Sequence, residues 1–150
     1  GPSLNFDSEL LNGVKFFEGY RANSYKCFAG VKTIGYGCTD KSIVALGAIS
    51  EHKASNILQQ TINEVRDNVR QAVTVDLTEY QLNALTSFAY NCGMTNLKTL
   101  INGEDRLNSG NYNSIQKIMP MYRKAGGKVR EGLEKRRAWE VSLWNGQPTL

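Results

Sequence analysis

The chain has 150 residues, 41% hydrophobic and 21% charged with a net charge of +4, which fits one soluble globular domain with a substantial core. No apolar run approaches the roughly 18 residues that cross a bilayer, and no secretory leader pattern opens the chain. Gly1-Pro2-Ser3 reads as a tag remnant, which leaves room for an upstream anchor or leader, and the length with no internal repeat or low-complexity linker leads to the expectation of a single domain over 1–150. Three cysteines (Cys27, Cys38, Cys92) and one histidine (His52) supply neither a disulfide scaffold nor zinc-ligand spacing. The mild positive charge favours encounter with anionic polymers. The basic residues are nevertheless dispersed and no nucleic-acid recognition motif is present.

Leu10, Leu11, Val14 and Phe17 recur at helical spacing, which predicts a first helix over 7–18 capped by Asp7 or Ser8 and stopped by Gly19. From Ser24 to Gly37, β-favouring residues are broken by Ala29-Gly30, Gly35 and Gly37. This predicts a hairpin turning near Ala29-Gly30, with Cys27 and Thr33 almost opposite each other, as the chain's β structure. Ser50 caps a long helix to about Val73, striped by Ala54, Leu58, Ile62, Val65 and Val69. Thr78-x-x-Gln81 is a capping box. It opens a helix over Leu82–Asn91 whose apolar residues almost encircle the axis, marking it as the core element, and Gly93 ends it. Shorter helices are predicted over Asn96–Asn102 and Asn113–Met119, then a Gly126-Gly127 turn and a last helix from about Arg130 to Trp144.

Glu18 is the leading candidate for chemistry. A carboxyl at a helix C-terminus faces the negative end of the dipole, and partial burial beside Phe17 acts in the same direction; both favour the protonated acid that glycoside cleavage requires. On spacing alone a solvated helix-end Glu fits equally. Cys27 is either a small hairpin residue or a thiol which, as thiolate, stabilises positive charge or attacks a sugar. Thr33 is a good strand residue whose hydroxyl could hold a water. Tyr20, Tyr25 and Tyr36 are either ordinary packing or stacking platforms for sugar rings. A Cys27–His52 pair would define a peptidase, but His52 sits in a polar first turn beside Glu51 and Lys53.

Glu18-x8-Cys27-x5-Thr33 resembles the Glu-x8-Asp-x5-Thr catalytic stretch of the phage-type lysozymes (endolysins), some of which carry Cys at the second position. Two further stretches share the resemblance in family order. They are Gln81-Leu-Asn-Ala-Leu-Thr-Ser-Phe88-Ala-Tyr-Asn91-Cys-Gly93 and Gly132-Leu133-Glu-Lys-Arg136-Arg137-Ala-Trp-Glu140-Val-Ser-Leu143-Trp144. The resemblance implies an α+β, mostly helical lysozyme-like fold in which a small β-hairpin lobe and a helical lobe are joined by a long connecting helix. It implies a muramidase that hydrolyses the β-1,4 bond between N-acetylmuramic acid and N-acetylglucosamine with no metal or cofactor, working as a monomer on bacterial peptidoglycan in the periplasm or cell wall, with neither a nucleic-acid partner nor stable membrane insertion. Residue by residue, Glu18 matches the general acid, Cys27 the usual Asp and Thr33 the motif Thr, while Tyr25, Tyr36, Gln81, Asn91 and Arg137 are candidates for binding substrate. An arginine of the last helix is expected to pair with Glu18, and Arg137 is the expected partner in preference to Arg136. The chain departs from the family at Gly37-Cys38, where Gly-His is usual, which leaves a second thiol near the site and raises the possibility of a redox-capped Cys27. Cys27 in place of Asp keeps a second reading open, an inactive glycan-binding module.

Overall fold

Leu10 and Val14 are fully buried on one face of α1 (Pro2–Glu18), the first helix of the computed structural model, which describes residues 2–26 and 30–147 and side chains from Glu9 onward. The helix begins well before the expected start, with Asp7 and Ser8 inside its bounds. Gly13 allows α1 to meet the last helix closely, since a Cβ there would stand 2.0 Å from Trp139 Cζ2. The helix ends as expected at Gly19, whose φ of +70° suits glycine and whose N–H donates to the Lys15 carbonyl at 2.9 Å.

Strands β1 (Arg21–Lys26) and β2 (Lys32–Gly35) form the hairpin, paired antiparallel with Arg21 opposite Gly35, Tyr25 opposite Thr33 and Lys26 opposite Lys32. Thr33 therefore faces Tyr25, two residues before the Cys27 that was expected almost opposite it. Cys27 and the start of the expected turn fall at 27–29, outside the described residues. Beyond β2 the chain doubles back sharply: Ile34 and Cys38 exchange two backbone hydrogen bonds of 2.9 Å around Gly35-Tyr36-Gly37. A one-turn helix, α2 (Lys41–Val44), follows with Asp40 as its cap and was not expected from the sequence. The next segment returns to β1, where Ile49 donates to the Ala22 carbonyl at 2.9 Å.

The long connecting helix α3 (Glu51–Ala72) has the predicted cap, Ser50 accepting from the Lys53 N–H, and buries Ala54, Leu58, Ile62 and Val69. Helix α4 (Glu79–Ile101) opens on the predicted capping box and buries every residue from Leu82 to Ala89. Complete burial of a side chain such as Phe88 or Leu85 stabilises the fold by about 2–3 kcal/mol. Gly93, at φ 87° and ψ 161°, breaks α4 where the first of two helices was expected to end.

After a short 3-10 turn, α5 (Asn113–Ile118) leads into a second 3-10 turn carrying Pro120. The expected Gly126-Gly127 turn joins a second hairpin, β3 (Lys124–Ala125) with β4 (Lys128–Val129), so the first hairpin is not the only β structure. The last helix, α6 (Glu131–Trp144), packs against α4 and buries Arg136, Arg137 and Glu140 together with Trp139, Leu143 and Trp144. The fold is thus mostly helical, a small hairpin lobe set beside a helical body. Among the described residues no helix is long and apolar enough to cross a membrane.

Candidate active site

The last residue of α1 brings Glu18 under the Gly35-Tyr36-Gly37 turn, with its side chain 16% exposed. Gly37 lies directly against it: a Cβ at this position, at φ +82°, would be 2.6 Å from Glu18 Oε1. From below, Arg136 Nη1 donates to Glu18 Oε2. This corrects the expected pairing, since Arg136 and not Arg137 holds Glu18. Consecutive helical residues diverge by about 100°, and the phase of α6 turns Arg136 towards α1.

Arg136 is held on its other nitrogens. Nε donates to Glu140 Oε2 at 3.2 Å, and Nη2 donates to both the carbonyl and the hydroxyl of Ser87 at 3.2 Å. Burial opposes the Arg136 charge, but the adjacent Glu18 and Glu140 carboxylates outweigh that and hold the guanidinium above its ordinary pKa. Arg137 occupies the far side of Glu140, with Nε 2.7 Å from Oε1. Its Nη2 donates to Asn91 Oδ1 at 2.7 Å, its Nη1 meets Cys92 Sγ at 2.7 Å, and the Phe88 ring lies 5.1 Å away. Ser87 donates its hydroxyl proton to Glu140 Oε2. Two carboxyl groups and two guanidiniums therefore alternate in the order Glu18, Arg136, Glu140, Arg137.

The turn over Glu18 is fixed from two helices. Tyr90 of α4 donates its hydroxyl to the Tyr36 carbonyl, and the Tyr36 hydroxyl donates to Glu51 Oε1 of α3 at 2.7 Å. Burial, reinforced by the Glu18 charge, pushes the Tyr90 phenol far above the ordinary tyrosine value. Burial likewise raises the Cys92 thiol, with Arg137 pulling in the opposite direction.

The other sequence candidates are distributed unevenly around this centre. Thr33 is 3% exposed and donates its hydroxyl to the Val31 carbonyl at 3.0 Å. Gln81 is engaged in the capping box, accepting from the Thr78 N–H at 2.9 Å. Asn91 and Arg137 are bonded to each other, and Arg137 is 1% exposed, which places it within the protein interior and away from a ligand surface. Tyr36 is 8% exposed, with the Tyr20 ring 5.8 Å away. Tyr25 is half-buried, beneath the Arg21 guanidinium at 5.0 Å, and lines an open pocket of about 730 Å³ with Lys26, Val31, Lys32 and Lys41. His52 is exposed near Asn56. Sequence reasoning missed the contributions of Ser87, Tyr90 and the Gly37 backbone. A hydroxyl within the apolar run of 82–89 was a signal that Ser87 needed a buried partner.

A helical body with a hairpin lobe folded over one helix-end carboxyl, itself bound to an arginine of the last helix, defines a lysozyme-like class of protein. The phage lysozyme family model matches residues 15–140, and the chain belongs to that family. It is 39% identical over 145 residues to an endolysin of Bacillus phage B103, a match covering 94% of this chain and 54% of that protein. A SAR-endolysin of bacteriophage PS119 is 33% identical, with 98% of this chain and 90% of that protein covered. The muramidase domain of SpmX from Asticaccaulis excentricus superposes with a TM-score of 0.76 at 28% identity, covering 90% of this chain and 93% of the other. The chain spans about half the length of the Bacillus phage endolysins that it matches.

Proposed function

We propose that this chain is a muramidase that cleaves the β-1,4 bond between N-acetylmuramic acid and N-acetylglucosamine in bacterial peptidoglycan. The observation that carries the reading is Glu18, an acid partly exposed at the junction of hairpin and helix and fixed on one side by Arg136. Glu18 gives its proton to the glycosidic oxygen as the C1–O bond breaks; water then supplies a hydroxyl to C1 and a proton is returned. Cys27 takes the second catalytic position, in which a thiolate stabilises the positive charge that develops at C1. Thr33, bonded to Val31, fixes the strand that follows and keeps lone pairs free to accept from water. Tyr25, beside the pocket of about 730 Å³, offers a ring face to a sugar. Tyr36, Gln81, Asn91 and Arg137 support the site from within, through the bonds already described. The enzyme acts as a monomer at the cell wall, with peptidoglycan as its partner and no nucleic acid.

The deciding measurement is release of reducing sugar ends from purified peptidoglycan under reducing conditions. It compares the parent with Glu18→Gln, Cys27→Ser and Cys27→Asp. Cleavage by the parent, lost in Glu18→Gln and severely reduced in Cys27→Ser, is expected. A silent parent revived by Cys27→Asp would overturn this in favour of a glycan-binding module.

A further inference from the structure

We propose that Glu140 is a positioning residue for Glu18: with Ser87 it holds Arg136 so that Nη1 reaches the Glu18 carboxyl, and its charge balances the Arg136–Arg137 pair. This rests on the reading of Glu18 as proton donor.

Arginine has several rotatable bonds, and a single contact to Glu18 would not fix its fork. Here Nε is bound to Glu140 and Nη2 to two oxygens of Ser87, leaving Nη1 as the nitrogen that meets Glu18. Ser87 is itself anchored, donating to the same Glu140 oxygen that accepts from Arg136 Nε. Glu140 is 0% exposed and accepts from Ser87, Arg136 and Arg137, so it cannot exchange these partners for water. Helices α4 and α6 thereby meet at one carboxylate that does not itself reach the surface, and α1 is tied to it through Arg136.

Charge gives Glu140 a second task. Without it, two buried guanidiniums would have Glu18 as their one carboxylate within the cluster, one more net positive charge beside the proton donor than in the parent. The groups around Glu18 are Arg136 and, behind it, Glu140 and Arg137 from α6, and Tyr90 from α4, which in turn lies near Cys38 and Tyr25. Removal of the Glu140 charge changes the balance while leaving the contact of Arg136 Nη1 with Glu18 chemically possible.

The test uses Glu140→Gln, which keeps shape and removes charge, together with Ser87→Ala and the double variant Glu140→Gln/Arg137→Met, which restores the balance. Each is checked for folding by thermal melting. Turnover on peptidoglycan is expected to show kcat reduced about tenfold at unchanged KM in Glu140→Gln, less than the ~100-fold or greater effect of losing the general acid itself. A second readout does not depend on turnover: carbon-13 NMR of the Glu18 carboxyl, assigned with Glu18→Gln. Its titration is expected to move to lower pH in Glu140→Gln and back towards the parent in the double variant. A folded Glu140→Gln with the parent's titration overturns the inference, whatever the activity. A parent that titrates as expected in these variants but cleaves nothing overturns the muramidase reading and leaves the positioning intact. Should Glu140→Gln fail to fold, the double variant and Ser87→Ala decide. A parent-like titration in the double variant with reduced kcat in Ser87→Ala supports the role, and parent-like kcat in Ser87→Ala overturns it.

Discussion

Gly37 sits so close to Glu18 that a single methyl would occupy the carboxyl's place, 2.6 Å from Oε1. The carboxyl has little freedom to retreat, because Arg136 holds its other oxygen. Gly37→Ala should therefore do more harm to the site than to the fold. Its backbone strain at φ +82° is worth about 1–2 kcal/mol, visible as a modest fall in Tm. Release of reducing ends should fall at least about tenfold, as displaced catalytic groups cost rate steeply. Equal activity in parent and variant would show that the contact is slack.

Gly13 makes the opposite prediction. Its missing side chain is filled by the Trp139 ring at 2.0 Å, where α1 and α6 meet more than a helical turn before Glu18. Gly13→Ala overpacks this contact and should lower stability by about 1–3 kcal/mol, measured by urea unfolding. Rate per folded molecule should change little.

Arg137 and Lys135 provide a comparison of ion pairs on one helix. Arg137 and Glu140 are both at or below 1% side-chain exposure, whereas Lys135 and Glu131, 3.1 Å apart, are both above 65%. Arg137→Met leaves Glu140 with a single counter-charge and should cost about 3 kcal/mol or more. Lys135→Ala should cost less than about 0.5 kcal/mol. Denaturation of the two variants side by side checks the difference.

Tyr90 gives a pH dependence. Burial and then the Glu18 charge raise its phenol in the folded state, so the unfolded chain loses that proton first. The contribution is fully present below the unfolded tyrosine value of about 10 and is lost as pH rises through it towards the raised folded value. Stability measured by denaturant between neutral pH and pH ~11 should decline. Tyr90→Phe should start lower, by about 1 kcal/mol for the bond to Tyr36, and decline less steeply.

The parts of the fold that were legible in the sequence carry their own local signals. Ser50 with its stripe predicted α3 to within a residue, and Thr78-x-x-Gln81 predicted both the start and the capping geometry of α4. The start of α1 was misplaced because Asp and Ser are tolerated within helices as well as at their caps. Strands of two residues at Lys124–Ala125 and Lys128–Val129 leave no alternation to read. Glu18 was singled out by its place at a helix end and by the motif around it, but the arginine that binds it was not, since Arg136 and Arg137 are neighbours and both turn inward. Buried charges on α6 share a face with Trp139 and Leu143, erasing the contrast of polar and apolar faces that fixes helix phase. The spacing of Glu140, four residues from Arg136 and three from Arg137, was a readable sign that all three meet.

The bond between Glu18 and Arg136 spans 118 residues of sequence. During synthesis the acid emerges early, and its counter-ion arrives only when the final helix is made and docks. Domains consolidate as the chain lengthens, yet this centre has no partial form: a ribosome-bound chain lacking α6 carries the acid without the cation that orients it. Docking of α6 and assembly of the site are then one event, and a chain that stops before α6 lacks the bond between Arg136 and Glu18.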